Sequence, residues 1–402
     1  YHFSSAKASP SKKVPFILVG AGPSFDQDVR YLKKLQHNAI IMSCGTAILP
    51  LLKAGIRPDF HIEIENVPAA YLSLKLTHEK FDLSKTVLVV TSTFNPGATD
   101  FFNHIVYYVR PSLSASAFVE RKHQVTNAGS NPATVGLMFA NLCGFREIYL
   151  FGVDFGSRFG KHHHAKDSFY YSDIKTFTKG IPSDLKQLYP EKVRANFGGY
   201  CQTNIIFKVG LVFLNQCANE ANQSTIYNCS NGVYIEHTIP KLAQTIKLEG
   251  LQLNKKQYVD AMLKHEMKSI EPLLDRFDFA DVGMNIKNSF DALVKPLIKK
   301  IDLLGRQDFE SQYIKKQLSN QLYSLNVENV DDQYVACAKR IARGTVWSCA
   351  IYYWIYANRL KGDPLKYFSR LFIREYQLVL TYMLQQTHQF FATLKKDGVC
   401  DK

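Results

Sequence analysis

Phe16-Ile-Leu-Val-Gly20-Ala-Gly-Pro-Ser24, running on into Phe-Asp-Gln-Asp28-Val-Arg-Tyr-Leu-Lys-Lys-Leu35, decides the fold class of this chain. Four consecutive apolar residues without a polar interruption read as a strand buried on both faces. The glycines mark a tight turn, and a helix is expected over residues 26–35. Such a turn lets backbone approach a ligand closely, and the helix N-terminus behind it attracts phosphate. The stretch is not a full dinucleotide fingerprint, because Pro23 interrupts it and the third glycine is missing; nor is it a P-loop, since no Lys-Ser/Thr pair follows. It is therefore either a nucleotide site or an ordinary strand-to-helix turn.

Working outward, the same alternation repeats. Strands are expected at residues 39–42, 59–65, 87–91, 105–109 and 147–153, with a helix through Leu52 and a buried helix over 131–143 that Gly144 closes. Strands alternating with helices imply a Rossmann-like, doubly wound, mostly parallel α/β sheet. Residues 155–200, rich in Gly, His, Tyr, Phe and Lys, break the rhythm as a long functional loop. A helix over 204–219 and a strand over 225–228 follow. Beyond residue 250 strand signals stop and helical periodicity takes over, as in 258–263 and 293–304. The expected organisation is a disordered or linker segment at 1–13, an α/β domain at 14–250 and an all-α helical domain at 251–402, the last a candidate acceptor-binding module.

The 402 residues are 46% hydrophobic and 21% charged, the balance of a globular chain with a sizeable core. No apolar run approaches the roughly 18 residues of a membrane span. The chain opens at Tyr1 without a signal-peptide pattern. Eight cysteines without CxxC pairs read as free thiols of a reducing compartment, so a cytoplasmic location is expected. A formal charge of +14 fits anionic partners such as nucleotides or acidic sugars, or solubility alone. No zinc-finger spacing or aromatic RNA-binding motif supports nucleic acid as a partner.

Four constellations carry candidate chemistry. Gly20, Gly22 and Ser24 form the first turn. Cys44, Gly45 and Thr46 follow the second strand, and Glu63 and Glu65 end the third, two apart and so on one face. Both sets fall at carboxyl strand ends, where open α/β sheets bind ligands; the carboxylates would hold sugar hydroxyls or be solvated strand ends. Ser130 and Asn131 open the buried helix as caps or anion contacts. Last, Gly152-Val-Asp154 precedes Lys161-His-His-His164-Ala-Lys166 and Tyr170-Tyr171. Imidazole titrates near neutral pH, which suits a general base. No carboxylate or cysteine stands beside the histidines at metal-ligand spacing, so no metal is expected. Asp26-Gln-Asp28 resembles a manganese-chelating acidic pair but sits in a first helical turn, where Asp is favoured structurally.

Together these segments resemble the motility-associated factor family of bacterial proteins, thought to glycosylate flagellin with pseudaminic or legionaminic acid. The match covers residues 14–250. It rests on Val19-Gly-Ala-Gly-Pro-Ser24, Gly55-Ile-Arg-Pro-Asp59-Phe, Gly152-Val-Asp154 with a downstream His-Ala, and Asn228-Cys-Ser-Asn-Gly232-Val-Tyr-Ile-Glu236. Residues 143–155 also resemble the core strand of bacterial CMP-sialic acid transferases, which implies a sialyltransferase-like fold and metal-independent transfer from a CMP donor without a bound cofactor. The resemblance implies CMP contacts at Gly20, Gly22, Ser24 and Ser130, phosphate contacts at Tyr170 and Tyr171, and His164 as the base, with Asp154 beside it. Cys44, Gly45, Thr46, Glu63, Glu65, Asn131, Ser230, Asn231 and Gly232 complete the expected substrate site. The chain departs from those transferases at Cys44-Gly45, where they carry Cys-Asn, and its tyrosines follow its histidines. Flagellin-modifying members carry a further N-terminal domain. The implied reaction is a displacement with inversion onto a Ser or Thr hydroxyl of flagellin. Two other readings remain: a pterin pyrophosphokinase using ATP and Mg²⁺, and a non-catalytic flagellin-binding chaperone.

Overall fold

A computed structural model describes residues 13–120, 124–126, 129, 131–158, 163–171, 190–248, 254–265, 267, 279–305, 310–327 and 330–396. The expected linker at 1–13 falls outside them except for Lys13. The chain forms two compact units, residues 1–110 with 121–270, and residues 111–120 with 271–402.

The first unit is built on an eight-stranded sheet. Its strands are β1 (Phe16–Val19), β2 (Ile40–Cys44), β3 (Phe60–Glu63), β4 (Val87–Thr91), β5 (His104–Tyr108), β6 (Glu147–Phe151), then, past the hairpin strands β7 (Glu191–Arg194) and β8 (Tyr200–Thr203), β9 (Thr225–Asn228) and β10 (Ile239–Pro240). The order across the sheet is β10-β9-β6-β1-β2-β3-β4-β5, with parallel pairing throughout. The doubly wound sheet is thus as expected. β1, β2, β3 and β4 are buried along their whole length, which is why β1, β2 and β4 are mostly Val, Ile, Leu, Met and Phe, while β3 buries His61 and Glu63 as well. After β1 the chain adds strands on one side up to β5. It then returns to β1's other side with β6, which makes the β1/β6 border the topological switch point.

The helices of this unit are α1 (Phe25–Leu35), α2 (Ile48–Lys53), α3 (Pro68–His78), α4 (Pro96–Thr99), α5 (Pro132–Leu142), α6 (Ile205–Glu220) and α7 (Lys255–His265). α5 is the central one: Ala133 to Ala140 are all buried, and Gly136 passes so near Leu18 that a Cβ would overlap it. Gly144 ends the helix at φ +79°, a conformation that favours glycine. The unit extends to Ile270, beyond the expected boundary at 250, because α7 packs into its core. Val259, Met262 and Leu263 join the cluster of β1, β2 and α5, and Lys255 pairs with Asp59 at 2.7 Å.

The second unit consists of α8 (Phe279–Gly305), α9 (Ser311–Ser324), α10 (Gln333–Ala357) and α11 (Gly362–Lys396), with the short 3-10 turn Ser114–Phe118. Phe290, Val294, Leu297 and Ile301 recur at helical spacing on α8 and meet Ala338, Ala342, Val346 and Ala350 on α10. Two buried polar contacts key this core: Tyr376 donates to Gln321 at 2.8 Å, and Tyr353 and Ser369 share a 2.9 Å bond. No described helix is long and apolar enough to cross a membrane. The described cysteines are free thiols, nearly all buried.

Candidate functional site

The carboxyl ends of β1, β2, β3 and β6 surround a cavity of about 550 Å³ at the switch point. Of the residues expected from the sequence, Gly20, Gly22, Cys44, Gly45, Thr46, Glu63, Glu65, Asn131, Asp154, His164 and Tyr170 line it. Residues separated by up to 150 positions in the chain are thereby brought to one place. Ser130, Lys161 and His162 lie outside the described residues.

The first turn is held by its own protein partners. The amide of Gly20 donates to the Phe151 carbonyl at 2.8 Å and that of Gly22 to the Gly152 carbonyl at 2.8 Å. The Ser24 amide donates to Asp154 Oδ2 at 2.9 Å. A Cβ on Gly20 would overlap the Gly152 carbonyl, and one on Gly22 would overlap the Asp154 carboxylate. The two glycines therefore exist so that the loops after β1 and β6 can cross, and their amides are spent in that crossing. Ser24 is buried against Asp154 and does not line the cavity.

Asp154 is the post of this crossing. One oxygen holds Ser24, while the other, Oδ1, is buried without a partner. Burial pushes its carboxyl up to about 6, opposed by the hydrogen bonds from Ser24. Ser230, Asn231 and Gly232 stand behind it and not in the cavity lining. Ser230 Oγ accepts from the Val153 amide at 2.9 Å, and Val233 donates to the Asp154 carbonyl at 2.8 Å. Gly232 is packed so close to Asp154 backbone that a Cβ would overlap it, and Asn231 accepts from Arg158 at 3.1 Å. This segment buttresses the loop.

At the other end, Glu63 is 6% exposed and Glu65 is exposed, although both face the cavity. Glu63 Oε1 accepts the amides of Ile64 at 3.0 Å and Glu65 at 3.3 Å. Burial pushes its carboxyl up to about 7, with the Glu65 charge adding to the rise. The same burial, and then Glu63, pushes the Cys44 thiol well above its usual range. Gly45 turns the chain between them at φ +52°, a conformation few side chains adopt.

The histidine loop closes a third side. His164 and Tyr170 stack with ring centroids 4.1 Å apart. Burial, followed by the neighbouring His163, lowers the His164 imidazole to about 3, so it stays uncharged near neutral pH. Its Nδ1 is buried without a partner. Tyr171 does not line the cavity; its hydroxyl accepts the amides of His163 and His164 at 2.9 and 3.2 Å and so anchors the loop. Burial and the charges of Glu63 and Glu65 raise the Tyr170 phenol.

Asp26 and Asp28 occupy the first turn of α1, as expected, and neither lines the cavity. Asp26 Oδ2 accepts the Lys166 amide at 3.0 Å; burial and then Asp154 push Asp28 up to about 7. Among the described residues no three His, Cys, Asp or Glu side chains are grouped as a metal ion would need. None of the described lining residues is Lys or Arg.

The sequence did not point to the apolar walls: Val67, Ala69 and Ala70 at the start of α3, and Ile206 and Phe207 at the start of α6. Pro68 at the first helical position marks α3, and Asn204 caps α6 by accepting the Phe207 amide at 2.9 Å.

A family model described as 6-hydroxymethylpterin diphosphokinase MptE-like matches residues 2–159. Among solved structures, the MAf glycosyltransferase from Magnetospirillum magneticum AMB-1 is 27% identical with a TM-score of 0.71, over 98% of this chain. This similarity agrees with the resemblance to the motility-associated factors read from the sequence. It spans 58% of the length of that MAf glycosyltransferase, which aligns with both the α/β unit and the helical one. A search of curated proteins found no match. The segment 2–159 matched by the MptE-like family model contains the Gly turn, Glu63 and Asp154.

Proposed function

We propose that the chain is the catalytic portion of a glycosyltransferase. It moves a nonulosonic acid of the pseudaminic, legionaminic or sialic type from a CMP donor to Ser or Thr hydroxyls of flagellin, in the cytoplasm, without metal and with inversion. The observation that carries this reading is the switch-point cavity, floored by a Gly turn and bearing titratable acids, in a chain similar over 98% of its length to a MAf glycosyltransferase. CMP lies along Gly20 to Pro23 and Asn131. The donor sugar extends over β2 and β3 toward Glu65, whose carboxyl suits sugar hydroxyls. Apolar walls from α3 and α6 exclude water from the reacting centre, which strengthens every polar contact inside. The helical unit receives the acceptor protein.

A second reading is favoured by two observations. The family description names a pterin diphosphokinase, and the described lining holds three carboxyl groups but no Lys or Arg. An ATP-dependent enzyme would offset the phosphate charge there with Mg²⁺. Purified chain incubated with a CMP-nonulosonic acid and flagellin, with and without EDTA, separates the two. The transferase reading expects release of CMP at the same rate in both. Activity lost in EDTA and restored by Mg²⁺ contradicts it, as does diphosphoryl transfer from ATP to a pterin.

A further inference from the structure

We propose that Glu63 is the catalytic base of the transfer, taking the proton of the acceptor hydroxyl through Oε2 as that oxygen attacks the donor sugar. The inference rests on the transferase reading and assigns to Glu63 the role expected of His164.

Geometry is the first support. Glu63 is 6% exposed, yet it lines the cavity. Two amides fix Oε1 and with it the plane of the carboxyl group, while no bond from a described residue reaches Oε2. Oε2 lies 3.8 Å from where a Cβ of Gly45 would stand, so the missing side chain leaves that oxygen open. Glu63 also ends β3, two strands from the Gly turn. Two strand spacings are about 10 Å, a separation that admits the phosphate and the reacting carbon of a donor laid across the strand ends.

His164 differs in basicity: its imidazole is hydrogen-bonded to the Ala21 backbone and its Nδ1 is buried without a partner. Its imidazole, lowered to about 3, is a weak proton acceptor at neutral pH. The titratable groups around Glu63 are Cys44 on β2, Tyr108 on β5, Glu65 beyond β3, and Tyr170. None is a cation, so each leaves the Glu63 carboxyl basic, close to neutrality.

In the step, the acceptor O–H bond breaks and its proton passes to Oε2. The freed electron pair forms the bond to the anomeric carbon. The anomeric carbon–oxygen bond to phosphate breaks, and its pair leaves on CMP. Glu63 returns the proton to water when product departs.

The test uses the whole chain with CMP-nonulosonic acid and flagellin. It compares wild type, Glu63→Gln, Glu63→Asp and His164→Ala in CMP binding, kcat, and kcat against pH. Glu63→Gln should bind CMP as wild type does yet lose about 10²- to 10⁴-fold in kcat. The wild-type rise in rate through about pH 7 should vanish with it, and Glu63→Asp should recover part of both. Glu63→Gln within a few-fold of wild type, or an unchanged pH profile, overturns the assignment. If Glu63→Gln does not fold, the folded Glu63→Asp variant decides: an unshifted profile at wild-type kcat overturns it. Wild type that neither binds CMP nor releases it contradicts the transferase reading itself, and with it this inference.

Discussion

At the β1 end of the cavity the amides of Gly20, Gly22 and Ser24 are all spent on protein acceptors, whereas at the β3 end Glu63 keeps a carboxyl oxygen that no described residue engages. The first end is the conspicuous motif and the second an ordinary-looking glutamate. The difference teaches that a Gly-rich turn can be a device for crossing two loops. Chemistry is to be sought where a side chain fixed by its neighbours still keeps an open polar atom at the cavity.

The comparison breaks most easily at Gly22. Gly22→Val places a Cβ into the Asp154 carboxylate and the Gly152 carbonyl. Overpacking of this kind costs about 1–3 kcal/mol or more. The melting temperature should fall and CMP binding should be lost together. CMP binding retained at an unchanged melting temperature would show that the turn neither braces the loops nor lies against the ligand.

A pH-dependent effect sharpens the other end. The folded Glu63 carboxyl sits at about 7 against an ordinary 4.5, so the folded state holds its proton more tightly than the unfolded chain does. Its contribution to stability is therefore present below about 4.5, declines as pH rises, and is gone above about 7. At about 1.4 kcal/mol per unit, the loss is of the order of 3 kcal/mol. Glu63→Gln carries no such charge. Denaturant melts across this range should show the variant gaining on wild type as pH rises; a constant difference would place Glu63 in a wetter, less buried setting.

Much of the fold was legible in the sequence, because strands buried on both faces must be continuously apolar; β1 and β4 match their expected limits and β6 begins where expected. α3 was missed because its sequence, Pro-Ala-Ala-Tyr-Leu-Ser-Leu, carries a weak apolar stripe. The hairpin β7–β8 was hidden inside the long loop, since its strands are short and half exposed. Of the site, the carboxyl-end residues Cys44 to Thr46, Glu63 and Asp154 could be placed from strand order alone. The buttressing role of Ser230 to Gly232 could not be, because it depends on how closely that segment packs against Asp154 in space. Nor could the inequality of Glu63 and Glu65: they share a face, but only one is buried.

The central claim is that this cavity takes a CMP donor without a metal ion. Calorimetric titration of CMP into the wild-type chain in EDTA, beside ATP with Mg²⁺ and a pterin, tests it most directly. The account predicts saturable binding of one CMP per chain in EDTA, abolished by Gly22→Val. No heat from CMP in EDTA, with binding of ATP that requires Mg²⁺, would contradict it.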